Sequence, residues 1–174
     1  MAGWAGKERT LPTDPDTAQW RWTGSAALLR LPWPAGARQT GATLTLRLSA
    51  GPKERAILLP TKPTAAQQAA AIRQPNGLTT LAAPAQVTVF AGTVPLRPLG
   101  QAAGSAVTPV ILAPGADFTD VQFAVPPNAS TDPAGPDYLL LRISAPTWTP
   151  DTVGVSGDKR ALGVAVDRAT LAAP

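Results

Sequence analysis

Residues able to do covalent or metal chemistry are few in this chain, and their types exclude most of it. There is no histidine and no cysteine. The commonest neutral-pH general base, the commonest metal ligand, the thiolate nucleophile and the disulfide are therefore absent. What remains is a serine–lysine pair or a two-carboxylate scheme. The four lysines (Lys7, Lys53, Lys62, Lys159) lie in hydrophilic or turn-like stretches, where nothing desolvates an ammonium group and lowers its pKa. Only Glu8 and Glu54 are glutamates. Asp14, Asp16, Asp132, Asp137 and Asp158 stand beside proline or glycine, the setting of turn-forming aspartates. The carboxylates pair as Asp14 with Asp16 and Asp151 with Asp158, which offers oxygen to calcium but without EF-hand spacing; turn and loop capping is the favoured reading. The expectation is a non-enzyme with no metal site and no cofactor.

The tryptophans are the stronger signal. Trp4, Trp20, Trp22, Trp33 and Trp148 all fall near strand ends or in loops. An indole face stacks on the apolar side of a sugar ring, while charged or amide groups fix the hydroxyls. Trp20 and Trp22 flank Arg21 in "QWRWTG", so in a strand both indoles share one face and Arg21 takes the other. For this pair the core or loop-packing reading is preferred. Trp33 lies between Pro32 and Pro34, and Trp148 lies in "SAPTWTPD"; both read as loop residues, where function concentrates. A large ring that pins its loop onto the sandwich would look the same, and the two readings weigh equally for this pair; glycan binding predicts Trp33 or Trp148 exposed beside a shallow groove. Arg21 and Arg160 are placed to pair with Asp158 or Glu8 and pin the loop before the last strand. The candidate ligand-binding set is thus Trp33, Trp148, Trp22, Arg21, Asp158 and Arg160.

The elements that position these residues read as all-β. Proline (20) and glycine (15) make up about a fifth of 174 residues, while 44% hydrophobic content argues against disorder. "ATLTLRLS" sends Ala42, Leu44, Leu46 and Leu48 to one face. "SAALLRLPWP" does the same with Ala27, Leu29 and Leu31 until Pro32 and Pro34 stop it. Val87 and Val89 precede a turn at Ala91-Gly92-Thr93 into a short second strand. Val121, Phe123 and Val125 share a face, as do Leu139, Leu141 and Ile143, with Leu140 opposite marking a central strand partly covered on both sides. In "RALGVAVDRATL", Leu162, Val164 and Val166 share a face, and small Gly163 and Ala165 opposite invite a close approach. Between positions 60 and 77, "PTKPTAAQQAAAIRQPNG" breaks the pattern with helix formers that Thr64 would cap and Pro75 and Gly77 would end. The prediction is one domain over 1–174: a β-sandwich, jelly-roll-like, of about eight strands with one short helical insertion. An immunoglobulin-like sandwich is the second choice.

The two ends of the chain together resemble a family. "GWAGKE", "RWTGSAALLRLPWP" and "LTLRLSAGP" at one end, and "DYLLLRISAPTWTP" and "GDKRALGVAVDRATL" at the other, resemble the extracytoplasmic β-sandwich module of bacterial polytopic membrane glycosyltransferase-like proteins of the mannosyl- and arabinosyl-transferase kind. The likeness covers Gly3 to Pro52 and Phe118 to Leu171. Its matching positions are Trp4, Glu8, Arg21, Trp22, Trp148, Pro150, Asp158, Arg160, Leu162 and Gly163. It implies a jelly-roll-like accessory domain outside the cytoplasm, without catalytic residues of its own.

Function is accordingly expected to be that of a non-catalytic, carbohydrate-binding-like accessory module of the cell envelope, with a glycan or a membrane-enzyme partner. A structural or assembly module is the alternative. The formal charge of +4 comes from singly scattered basic residues (Arg30, Arg38, Arg47, Arg73, Arg97, Arg142), with no stripe of the nucleic-acid-binding kind. No run approaches the ~20 apolar residues of a membrane span, so no direct membrane insertion is expected.

Overall fold

Alternation of apolar and polar residues along the chain forms its long strands. The computed structural model describes residues 4–9, 19–102, 104–129, 131–132 and 135–174, with side chains described for 21–102, 104–129 and 137–174. In chain order the strands are β1 (Trp4–Arg9), β2 (Gln19–Thr23), β3 (Ala26–Pro32), β4 (Ala42–Ser49), β5 (Ala56–Leu58), β6 (Ile72–Arg73), β7 (Thr79–Ala82) and β8 (Ala85–Ala91). They continue with β9 (Val94–Pro95), β10 (Arg97–Pro98), β11 (Val110–Leu112), β12 (Thr119–Val125), β13 (Thr131–Asp132), β14 (Gly135–Ser144) and β15 (Ala165–Ala172). Two short helices, α1 (Ala37–Thr40) and α2 (Ala65–Ala69), complete the described elements.

The strands form antiparallel sheets. The first has the order β1-β2-β15-β4-β12-β10. In the second, β11-β8-β14 continues to β3 on the far side of β14, and β13 and β9 pair with β14 and β8. The inner faces of both sheets supply one core. Leu44, Leu46, Leu48, Phe123 and Val125 come from the first, and Val87, Val89, Leu139, Leu141 and Ile143 from the second. Each large side chain buried there contributes roughly 1.5–3 kcal/mol of hydrophobic stabilisation. Every large residue expected on the inner face of β4, β8 and β14 is buried, and the turn at Gly92-Thr93 leads into β9 as expected.

Leu140 is half-buried, as expected of a partly covered central strand: β14 lies between β3 and β8, and the same face carries exposed Tyr138 and Arg142. Two expectations change. The insertion holds a helix with the expected Thr64 cap: the Gln67 amide N donates to Thr64 Oγ1 at 3.2 Å, and the Thr64 amide N donates to Gln67 Oε1 at 2.8 Å. Around it, however, β5, β7 and β6 form a separate three-stranded sheet that the sequence did not announce. A two-residue strand such as β6 is too short to show a period of two. Leu162 also parts from Val164 and Val166. It is bridged to Trp148 and packs in a second cluster, because residues 162–166 are all buried and the alternation that sorts faces is lost there.

That second cluster joins Trp22, Ala56, Trp148, Val153, Leu162 and Ala165 at one end of the sheets. Its backbone is stitched across β2 and the approach to β15. The Thr23 amide donates to Val164 O at 2.9 Å, the Gly163 amide to Thr23 O at 2.7 Å, and the Val164 amide to Thr23 Oγ1 at 2.9 Å. Gly163 is required there: an added Cβ would meet Thr23 Oγ1 and the Gly24 carbonyl well inside contact distance. No helix among the described residues is long and apolar enough to cross a membrane.

Candidate functional site

The three tryptophans whose side chains are described do not form one platform. Trp22 and Trp148 are 9% and 4% exposed, and both belong to the second cluster. The Trp22 ring lies against Gly51, whose φ of 94° and lack of a Cβ make room for it. Of the two readings open for Trp148, its burial is that of a ring pinning its loop and not of an exposed binding ring. Its bridge to Leu162, with N···O distances of 2.9 and 2.8 Å, fastens it to the loop before β15, so burial replaces solvent contact. Trp148 also lines a concavity of about 240 Å3 with Ile57, Leu58, Thr149 and Val153. Trp33 is half-buried against the main core and lines another concavity of about 240 Å3 with Pro34, Arg38 and Asp137. Its amide donates to Asp137 O at 2.9 Å. Trp33 and Trp148 thus stand at opposite ends of β14, separated by roughly 20 Å of strand at ~3.3 Å per residue.

The charged candidates separate in the same way. Asp158 and Arg160 form the expected clasp: Arg160 Nε reaches both carboxylate oxygens at 3.0 Å, Nη2 reaches Oδ2 at 2.7 Å, and the Arg160 amide donates to Oδ1 at 2.9 Å. Hydrogen bonds from Arg160 hold the Asp158 carboxyl below its ordinary value. The Asp151 amide donates to Asp158 O at 3.0 Å, closing the loop. This geometry is structural. Arg21 is half-buried on β2, opposite Val166 and Lys7, and the Asp158 clasp is made by Arg160. Asp14 and Asp16 lie outside the described residues, as do the side chains of Trp4, Glu8, Trp20 and Asp132. Among the described residues no group of three or more acidic side chains is placed to hold a metal ion.

Beneath the second cluster sits Arg55, 2% exposed. Its guanidinium donates to the carbonyls of Ala83 (2.9 Å), Ala50 (3.3 Å), Pro146 (2.8 Å) and Gly163. Burial lowers its pKa to about 10, which leaves it charged at neutral pH. It ties four separate loops together and has no open face for a ligand.

The outer face of the second sheet is different. The register places Leu140 opposite Arg30, and Arg142 opposite both Leu28 and Phe90. The Arg30 guanidinium lies over the Tyr138 ring and that of Arg142 over the Phe90 ring, each 4.2 Å from the ring centroid. Such stacks are worth roughly 0.5–1 kcal/mol when exposed and hold a flexible guanidinium flat. Leu28, Arg30, Tyr138 and Arg142 are exposed, with Leu140 half-buried between them. Thr88 and Ser144 extend the face along β8 and β14. No acidic residue occupies an outward position on it among the described side chains. On the first sheet the outer charges are mixed: Arg47 faces Asp120 and pairs with Asp167 at 3.3 Å.

Sequence reading passed over this face. Its signal was the outward set Tyr138, Leu140 and Arg142 in "PDYLLLRISAP", an aromatic and a cation two strand steps apart. No family model matches the chain, and neither a curated protein nor a solved structure matches it.

Proposed function

We propose that the chain is a non-catalytic carbohydrate-binding module that presents the outer face of its second sheet to a glycan. The observation that carries this reading is the pair of arginine–aromatic stacks on an exposed sheet face that has no acidic residue at an outward position among the described side chains. Preoriented donors beside apolar patches are what a sugar polymer needs from a flat surface. We further propose a jelly-roll sandwich. Its eight principal strands lie in the orders β2-β15-β4-β12 and β3-β14-β8-β11, so the chain passes repeatedly between two sheets that share a core. Jelly rolls recur among lectins, which supports sugar binding. A place outside the cytoplasm beside a membrane glycosyltransferase-like partner rests on the sequence resemblance alone.

The test is affinity electrophoresis of the purified chain through gels cast with a panel of polysaccharides, comparing the parent with Phe90→Ala and Tyr138→Ala. Retardation by at least one glycan, reduced in both variants, supports the reading. Free migration in every gel removes it.

A second reading, self-association as an assembly module, is favoured by exposed Ile57, Leu58 and Ile72 on the small β5-β7-β6 sheet. Unpaired strand edges template pairing with another copy. Sedimentation over a wide concentration range distinguishes the two, since a strict monomer excludes assembly.

A further inference from the structure

We infer that the concavity beside Trp33 and Arg38, at the end of β3, is a second site that takes one neutral sugar unit through its hydroxyls; the ligand class rests on the carbohydrate-binding reading, the site on its own geometry. Trp33 follows Pro32, which stands opposite Tyr138, and its amide donates to Asp137 O at 2.9 Å. The chain then turns into α1. Ala37 of that helix is buried in the main core, and the Asn128 amide donates to Arg38 O at 2.8 Å, so the backbone beneath the Arg38 side chain is pinned. Trp33, Pro34, Gly36, Arg38, Gln39 and Asp137 border the resulting concavity of about 240 Å3. Two of these residues hold a donor left over from folding: Trp33 Nε1 and Arg38 Nε are buried, with no acceptor among the described residues. Buried donors are otherwise nearly always paired, and an orphan marks a place where a ligand or an ordered water completes the set.

The polar groups select a neutral, hydroxylated occupant. Arg38 and Asp137 both border the concavity, yet among the described residues neither forms a salt bridge. One cation and one anion around a small space leave it without net charge, so an ion gains nothing there that a neutral ligand lacks. A hydroxyl both donates and accepts. One sugar ring therefore accepts from Trp33 Nε1 and Arg38 Nε and donates to the Asp137 carboxylate. The indole and Pro34 supply apolar surface for the C–H patches of the ring. The volume lies below the roughly 300–1,000 Å3 of drug-sized clefts, which suits one unit and not a length of polymer. Neither orphan nitrogen is open at the surface, so the unit enters by displacing the adjoining loop. Ala35, Gly36 and Gln39 are exposed, and Gly36, at φ 74°, has nothing within 4 Å of the place a Cβ would take, so this stretch yields without unpacking the core.

The experiment follows the isotope-labelled chain by proton–nitrogen NMR as glucose, galactose, mannose, arabinose, sodium acetate or L-alanine is added. The Trp33 indole resonance is identified by its loss in Trp33→Phe, a change that keeps an aromatic ring against the core. The expected result is saturable movement of that resonance, and of the Gly36 and Gln39 amides, with at least one sugar and with neither acetate nor alanine. Arg38→Gln, Asp137→Asn and Trp33→Phe, the last read through the amides, should each weaken that sugar about tenfold, as when one hydrogen-bond partner is removed. Thr64→Ala, in the insertion, should bind as the parent does. Circular dichroism checks that each variant folds, and the parent titration decides by itself should one fail. Sugar binding that leaves the Trp33 indole resonance in place would overturn the site. So would no response to any sugar, which leaves an ordered water as the partner of both donors. Acetate or alanine binding as tightly as the sugar would overturn the neutral assignment. Retardation by polysaccharide gels with no sugar response at Trp33 would remove this site and leave the outer-face reading standing. A sugar response at Trp33 with free migration in every gel would keep this site and remove the outer-face reading.

Discussion

Replacing Arg55 with methionine should be among the most destabilising single changes available. The substitution keeps an unbranched chain in the cavity but removes every donor. It strands the carbonyls of Ala50, Ala83, Pro146 and Gly163, none of which receives a backbone hydrogen bond among the described residues. A buried acceptor left without a partner costs about 1–3 kcal/mol; the contacts to Ala50 and Gly163 are buried and those to Ala83 and Pro146 partly so. Against these losses stands relief from burying a charge, a penalty of several kcal/mol that already lowers the guanidinium to about 10. The balance is a net loss of ~3–5 kcal/mol, because a hydrogen bond to a charged group is worth about 1.5–3 kcal/mol and four are lost. For a chain of this length that corresponds to a fall in Tm of roughly 6–20 °C. Urea and thermal unfolding followed by tryptophan fluorescence would read it directly, since Trp22 and Trp148 sit in the adjacent cluster. Arg55→Lys provides the companion test should the methionine variant fail to fold. It retains charge but loses the fork, so a loss of ~2 kcal/mol or more is expected. A Tm within about 2 °C of the parent for either variant would refute the reasoning, because it would mean the four loops hold together without a guanidinium.

Other perturbations test other parts of the structure. Gly163→Ala should cost ~2–4 kcal/mol, measured by urea unfolding, because the new methyl meets Thr23 Oγ1 and backbone rather than a movable side chain. Trp148→Ala should lower stability by ~3–5 kcal/mol while leaving glycan affinity of the folded fraction unchanged, which separates a core tryptophan from a binding one. Asp158 has a folded pKa below its ordinary 3.8, so the stability it adds is present above that value and lost as pH falls through the lowered folded value. The stability difference between parent and Asp158→Asn should therefore shrink on acidification through that window, as followed by unfolding at a series of pH values. Thr64→Ala should remove the cap of α2 at ~1 kcal/mol locally, seen as faster amide exchange at Gln67 with global unfolding unchanged, since α2 buries no residue.

Much of the fold was legible because its signal is local. Alternation along β4, β8, β12 and β14 is written in neighbouring residues, and the inward sets Leu44-Leu46-Leu48 and Leu139-Leu141-Ile143 are buried as that period requires. The Thr64 cap and the Asp158–Arg160 clasp were legible for the same reason: each spans two or three residues. The candidate site was not. Trp148 in a proline-rich loop looks the same in sequence whether its ring faces water or Leu162, because burial depends on a strand that arrives later in the chain. Arg55 lies in the hydrophilic run "GPKERA", where nothing local marks a buried cation. Only the convergence of four loops on one point supplies its acceptors.

The sequence by itself thus determined which residues face inward along each long strand, where the chain turns, and which catalytic chemistries are closed to it. Tertiary structure decided which strands are neighbours and in what register. That decision laid Arg30 over Tyr138 and Arg142 over Phe90 from distant parts of the chain. Alternation fixes a side chain's face but is silent about its partner across the sheet, because cross-strand contact is set by pairing and not by order along the backbone.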